Sequence, residues 1–328
     1  MSDLLEFLAA DDPLVATVKT ALRRRRSYRV EALADELDVS PRRIRQAVDT
    51  LRRAGFRVPK EADGTIELVK VPPDDHDTIT KLPLALLNGE LARFGVVSDT
   101  HLGSKYAALS ELHLAYDYFA REEITTVLHP GDLVDGVGVY KGQHNYLTHH
   151  TFEDQRDHAI EDYPRRDGII THMIGGNHDL EGDFGKVGAD PVRGVSNQRP
   201  DIHYLGEFSQ WLELPNGAHI HLLHGRGGMS YSFSYKMQKL CEAYPAGRKP
   251  AALILGHFHV QCGGLECRGI QGMFPACFQW ISKQFGERAG HRNSVGFHTV
   301  EIRLGDDGSL VEWAPRWHPI WEGRVLNA

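Results

Sequence analysis

Apolar residues follow two rhythms along this chain, and the change between them divides it. From Asp12 to Ala54 they recur every three or four positions, the period of helices with one buried stripe. Leu14, Val18 and Leu22 mark a first helix, Leu33 and Leu37 a second, and Ile44, Val48 and Leu51 a third running from Pro41 to Ala54. Ser40 and Pro41 open the third. The hydroxyl accepts an otherwise orphaned N–H, and a proline gives up nothing at the first helical position. Gly55 ends it. Phe56-Arg57-Val58 and Thr65-Ile66-Glu67-Leu68 then read as two strands around the turn Ala62-Asp63-Gly64. Residues 1–71 are thus expected to form a small N-terminal domain. Residues 72–90 open on Pro72-Pro73 and the acidic run Asp74-Asp75-His76-Asp77, which predicts an extended, solvated linker.

Past Glu90 the rhythm changes to short, nearly continuous apolar runs. Phe94–Ser98, Thr125–His129, Ile169–Ile174, His219–Leu223 and Ala251–Leu255 read as strands; Leu109–Arg121 and Phe152–Tyr163 read as helices. Strands alternating with helices, then mostly strands, predict an α/β (α+β) body over residues 91–328, two sheets packed together with helices outside. His219 and His221 alternate along their run, so both should lie on one sheet face, toward solvent.

Charge sharpens the division. The chain carries a net −7, yet Lys19 to Lys60 holds 13 basic against 5 acidic residues, a local +8 that leaves −15 for the rest. A basic module on an acidic body is the electrostatic footprint of a nucleic-acid contact. The polar face of the third helix carries Arg42, Arg43, Arg45, Gln46, Arg52 and Arg53. Arginines there would mostly meet phosphates, so binding should be salt-sensitive and weakly sequence-specific. No stretch approaches the 18 apolar residues a membrane span requires, and Met1-Ser2-Asp3-Leu4-Leu5 lacks a secretory start. Cys241, Cys262, Cys267 and Cys277 form no C-x-x-C pair. A cytoplasmic protein with reduced thiols and no membrane partner is the expectation.

The chemistry lies in five polar blocks where apolar runs stop: Asp99-Thr100-His101, Gly131-Asp132, Gly176-Asn177-His178-Asp179, His224-Gly225 and Gly256-His257-Phe258-His259. The chain has 19 histidines, so any one block says little. Five in series at predicted strand ends point to one site. Seven ligand-type side chains (Asp99, His101, Asp132, Asn177, His224, His257, His259) are too many for one cation and suit two. Two divalent ions roughly 3.5–4 Å apart activate a water and clamp a phosphate oxygen during in-line displacement. With no thiol in the set, manganese is the leading expectation, with iron, zinc or magnesium as alternatives.

These blocks resemble those of the calcineurin-like metallophosphoesterases, from about Leu91 to the C-terminus. The resemblance implies a four-layer αββα sandwich. It also implies one metal on Asp99, His101, Asp132 and His259 and another on Asn177, His224 and His257, with Asp132 bridging. His178 would protonate or steady the leaving oxygen, so Asp99, Asp132 and His178 are the expected catalytic residues. Serine/threonine protein phosphatases place an arginine where Gly136 stands, which argues against that substrate class. The stretch Gly131 to Gln143 resembles the small, exonuclease subunit of archaeal family-D DNA polymerases, and more loosely the SbcD-type repair nucleases. Lys141 replaces the proline usual in the former, which puts that loop's contacts in question. Lys141 and Arg226 are the expected substrate contacts. The N-terminal order resembles a winged helix-turn-helix, with the wing around Lys60 to Gly64. Together these imply a DNA nuclease, exonuclease-like, with a replication or repair protein as partner. The alternatives are a small-molecule (cyclic nucleotide) phosphodiesterase or phosphatase, and a non-catalytic DNA-binding subunit.

Overall fold

The expected runs become strands within three residues of their predicted bounds. The structure, a computed structural model, describes residues 12–59, 61–69, 78–245, 247–282, 286–287, 290, 292–321 and 323–326. Two sheets face each other. One has seven strands in the order Arg324–Val325, Leu310–Trp321, Gly296–Leu304, Leu91–Val96, Thr126–Pro130, Ile170–Ile174, Ile202–Gly206, the last four mutually parallel. The other has six, in the order Cys262–Cys267, Ile270–Phe274, Ala252–Gly256, His219–His224, Ser209–Glu213, Ile79–Lys81.

Side chains alternate across each sheet, as the pleat requires. Phe94, Val96, Leu128, Ile174, Leu222 and Ile254 point between the sheets and are buried together. Val127 and Met173 point outward onto the helix Leu109–Arg121, through Leu112, Ala115 and Phe119. Leu253, Leu255 and Phe274 point the other way, under the helix Phe233–Ala243 through Met237 and Cys241. Helix, sheet, sheet, helix is the mixed α/β sandwich expected. Among the described residues no helix is long and apolar enough to cross a membrane. The four cysteines are free.

Three expectations change. First, the N-terminal helices form over Pro13–Arg25, Val30–Glu36 and Pro41–Arg53, the third with Ser40 Oγ accepting from Arg43 N–H at 3.4 Å. The strand Thr65–Glu67, however, pairs antiparallel with Ser27–Arg29 and not with Phe56–Val58. Phe56 bridges to Ala189, Arg57 N–H donates to Gly188 O at 2.7 Å, and the Phe56 ring meets Phe152. The body takes the Arg57 N–H that a hairpin would have used, while Val69 N–H, just past the second predicted strand, donates to Arg57 O at 2.9 Å. One apolar core accordingly runs without a break from Val18 and Ile44 to Phe152 and Val195. Second, the expected linker is only partly describable, since Val71–Asp77 and Lys60 of the wing lie outside the described residues. From Thr78 on it belongs to the sandwich. Ile79–Lys81 pairs parallel with Trp211–Glu213, and Leu82 and Leu84 are buried between the sheets. Third, His221 is buried instead of solvent-facing, hydrogen-bonded to Tyr244 Oη and stacked on Trp211 at 4.9 Å.

Candidate metal centre

Five strands end at one edge of the sandwich, and each delivers a polar block there. Asp99 follows Leu91–Val96, Asp132 follows Thr126–Pro130, Asn177 follows Ile170–Ile174, His224 closes its own strand, and His257 follows Ala252–Gly256. The two sheets are tied at this edge by the blocks themselves: His257 N–H donates to Asp99 Oδ1 at 3.0 Å and His224 Nδ1 contacts Pro130 O at 2.8 Å, while His178 N–H donates to Asp132 Oδ1 at 2.8 Å within the seven-stranded sheet.

The seven predicted ligands come together in two groups that share one carboxylate. Ligand atoms of Asp99, His101, Asp132 and His259 lie within 4.8 Å of one another, as do those of Asp132, His224 and His257. Asn177 joins the second group, its Oδ1 3.0 Å from His224 Nε2. His101 Nε2 stands 3.0 Å from His259 Nε2, and His259 Nε2 stands 3.4 Å from Asp99 Oδ1. Asp132 Oδ2 is 3.7 Å from His101 Nε2 and 3.3 Å from His224 Nε2, so it faces both groups.

The backbone bears a cost for this convergence. Among the described residues, eleven that are not glycine have positive φ, and five of them are Asp99, His101, Asp132, His257 and His259. Each such conformation costs of the order of 1 kcal/mol or more, and persists only where surrounding structure enforces it. Glycines make the close approach passable. A Cβ on Gly131 would stand 2.5 Å from His224 Nδ1, and one on Gly176 would stand 2.2 Å from Asp132 Oδ1.

The donor chemistry fits a pair of cations. His224 Nδ1 contacts the Pro130 carbonyl at 2.8 Å, so Nδ1 carries the hydrogen and the Nε2 lone pair faces two oxygens, Asp132 Oδ2 and Asn177 Oδ1. His101 Nδ1 likewise contacts Asp135 Oδ1 at 3.0 Å, turning its Nε2 lone pair onto His259. His257 Nε2 donates to Gly227 O at 2.9 Å, leaving Nδ1 buried with no hydrogen-bond partner. Acceptor facing acceptor is unfavourable unless positive charge lies between, and orienting partners of this kind are what metal-ligating histidines carry. The same field acts on protons. Burial works to raise the Asp132 pKa, but His224 and His178 outweigh it and hold the carboxylate well below its usual range. Burial works to lower that of His224, but Asp132 prevails and pushes it up to about 9, so without a cation a proton on Nε2 takes the place of the positive charge that the facing acceptors require.

Two carboxylates without an assigned role from sequence complete the frame. Asp135 binds His101 through Oδ1 and accepts from His178 Nδ1 through its carbonyl at 2.6 Å, and Gln143 Nε2 donates to that carbonyl as well. Its position three residues after Asp132 was the available signal. Asp179 is buried and accepts from Leu133, Val134 and Gly176 N–H, clamping the second block to the third. Gly136, which stands where protein phosphatases carry arginine, has φ +72°. A Cβ there would lie 2.2 Å from His178 O, so no side chain fits.

The remaining predicted residues lie outside this convergence. Lys141 is exposed, beside Tyr140, whose ring stands 6.1 Å from that of His178. Arg226 is exposed two residues past His224. On the third N-terminal helix Arg42, Arg43, Arg45, Gln46 and Arg53 are exposed and Arg52 is half-buried. Arg43 pairs with Asp12 at 2.8 Å, Arg45 with Glu61 at 2.7 Å and Glu31 at 3.3 Å, and Arg52 with Asp49 at 2.7 Å.

A carboxylate shared by two clusters of oxygen and imidazole donors, set in a βαβ-rich sandwich, defines a metal-dependent phosphoester hydrolase. The sequence profile of the calcineurin-like phosphoesterase superfamily domain matches residues 93–273, more than half of the chain, and the chain belongs to that family. Its members use a dinuclear metal site. Among solved structures, a dimetal phosphatase from Danio rerio is 11% identical, with 68% of this chain and 98% of that chain covered and a TM-score of 0.36. A 5′-nucleotidase precursor from Thermus thermophilus is 12% identical, with 69% and 54% covered and a TM-score of 0.33. Vps29 from Entamoeba histolytica is 14% identical, with 69% and 98% covered and a TM-score of 0.33. Likenesses this distant carry no substrate or partner across. No curated protein matches the chain.

Proposed function

We propose that this phosphoester hydrolase is a nuclease, acting on DNA ends through two divalent ions, with the N-terminal helices and their short sheet serving as a winged helix-turn-helix that holds the duplex. The observation that carries the reading is one of attachment. A helix presenting Arg42, Arg43, Arg45, Gln46 and Arg53 to solvent is packed, through a continuous apolar core, onto the body that bears the metal centre. Asn197 Nδ2 donates to the carbonyls of Arg52 and Arg53, fixing that helix's end to the body. DNA phosphates would displace Asp12 from Arg43 and Glu61 from Arg45, exchanging one weak exposed pair for another. The glycine requirement at 136 supports the same side, because a phosphodiester carries one negative charge less than a phosphomonoester and needs no arginine clamp there.

Asp99, His101, Asp132 and His259 would hold one ion, and Asp132, Asn177, His224 and His257 the other. Bound there, the ions supply Lewis acidity toward phosphoryl oxygen and lower the pKa of a water toward 7. Manganese is the expected metal, with iron, zinc or magnesium as alternatives. The chain's own part is positional. Asp135 sets His101 through a carboxylate oxygen and His178 through a carbonyl, so both rings are held by one residue. His178 Nδ1 donates to that carbonyl, so the proton given to the leaving oxygen would be a second one, carried on Nε2 of the imidazolium.

Incubating the Mn²⁺-loaded protein with end-labelled DNA, alongside bis-p-nitrophenyl phosphate, tests the proposal. Cleavage of both is expected. Hydrolysis of the small diester with no cut DNA would defeat the nuclease reading and leave a small-molecule phosphodiesterase in its place.

A further inference from the structure

We propose that the segment Arg226–Lys236 is a stacking arm that takes the unpaired bases of a single strand beside the metal centre. This deepens the nuclease reading above and rests on it. The arm reads Arg226-Gly227-Gly228-Met229-Ser230-Tyr231-Ser232-Phe233-Ser234-Tyr235-Lys236, three aromatic residues alternating with serines. Tyr231 is wholly in solvent at 107% relative exposure, Tyr235 is 49% exposed and Phe233 41%, three exposed rings within five residues, whereas Tyr140, Phe208 and Trp321 are exposed singly along the chain. Charge near them in sequence is mostly positive, with Lys239 paired to Glu242 at 3.0 Å. The sequence has no aspartate or glutamate between Glu213 and Glu242, yet it carries Arg226, Lys236 and Lys239 there, in a chain of net −7.

The arm is anchored to the chemistry. It leaves directly from His224, and the Gly227 carbonyl accepts the hydrogen of His257 Nε2 at 2.9 Å, the contact that fixes which nitrogen of His257 faces the centre. Lys236 Nζ donates to Arg226 O at 3.3 Å, folding the arm's far end back to its start. Rings held in solvent beside such a site have an obvious ligand. Every nucleobase has a π-face, so aromatic platforms bind single strands with little regard to sequence, while flanking cations track the phosphates. A protein-binding patch would instead join its rings into one apolar surface; here serines separate them and cations flank them. Bases inside a duplex are already stacked on each other, so the arm favours a single strand or a frayed end.

The test compares a short oligothymidylate with an abasic oligonucleotide of the same length, for the full Mn²⁺-loaded chain and a Tyr231→Ala/Phe233→Ala/Tyr235→Ala variant. Binding is read by fluorescence anisotropy and cleavage by gel. The native protein should favour the base-bearing strand about tenfold or more, and the triple variant should lose that preference. Tyr231→Ala alone, a change confined to a solvent-exposed ring, should lose part of it and keeps the test decisive if the triple variant does not fold. Equal treatment of the two strands by the native protein overturns the arm, as does a preference that survives in the triple variant. Turnover of bis-p-nitrophenyl phosphate with neither strand cut would overturn the nuclease reading itself, whereas efficient cleavage of duplex over single strand would remove the arm alone.

Discussion

The metal centre and the third N-terminal helix are both dense in ionisable side chains, and they hold their charges in opposite ways. On the helix, Arg43, Arg45 and Arg52 lie outward and each has an acidic neighbour within reach of a flexible side chain. Such exposed pairs contribute little, so the face is inexpensive to maintain and says little about what it binds. At the centre, Asp99, His101, Asp132 and His224 are buried, their lone pairs face each other, and three of them sit in left-handed backbone. Buried ligands of like character destabilise a fold unless something bound offsets them. Arrangement under cost, and not density of charge, is what identifies a site.

The centre should therefore be sensitive to single atoms. Asp132→Asn removes the one carboxylate that faces both ligand groups, and with it the charge that neutralises two cations. Turnover of bis-p-nitrophenyl phosphate should fall by about 10⁴-fold, several kcal/mol of transition-state stabilisation, and elemental analysis should find fewer than two metals per chain. Retention of both metals would mean that Asp132 bridges nothing. His178→Ala should cost about 10²–10³-fold in kcat with metal content intact, because His178 groups only with His101 and Asp135 and is absent from the two groups that share Asp132. Asp135→Asn is milder. It keeps the carbonyl that holds His178 but weakens the carboxylate contact to His101, so a loss of about 10–100-fold is expected, most of it recovered in excess metal.

These residues differ in how visible they were beforehand. The strands and the seven ligand-type residues stand out in sequence, because a parallel strand is one apolar run and its end is marked by the first polar block. Asp135 and Asp179 lie inside those blocks yet carried no assigned role; their work depends on which backbone N–H and which ring they reach, and spacing does not encode that. The N-terminal strand pairing was misread for a similar reason. Phe56 and Val58 alternate like a strand, but the body at Gly188 and Ala189 competes for their hydrogen bonds. The prolines and acids before Leu82 and Leu84 dominate the composition, so the sequence reads as a linker there. Only tertiary burial shows that the sandwich claims them.

Remote from both regions, His298 and His172 are buried with neither ring nitrogen hydrogen-bonded, a third way of holding a titratable group. Burial, with His318 adding for His298 and His203 for His172, lowers their pKa values to about 3 and about 4. In the unfolded chain both titrate near 6.5. Below that pH the unfolded state binds protons that the native state refuses, so stability is full above pH 6.5 and is lost as pH falls toward 4. By pH 5 each histidine should remove about 2 kcal/mol. Urea unfolding at pH 7 and pH 5 measures this, and His298→Phe should shrink the difference by roughly its share. An unchanged difference would mean that this ring charges without penalty in the fold.

The smallest expected effect bears most directly on the contrast between helix and centre. Arg45→Ala breaks the pairs with Glu61 and Glu31, all three side chains being at least a quarter exposed. Stability should barely move. What the substitution reads is the partner. If Arg45 exchanges Glu61 for a phosphate when DNA arrives, the slope of log affinity against log salt concentration should become shallower by about 0.9, the share of one released counterion. Affinity should weaken similarly for unrelated sequences, since a phosphate contact carries no base information. A slope identical to that of the native protein would make this basic helix a solvated surface and confine nucleic-acid contact to the body.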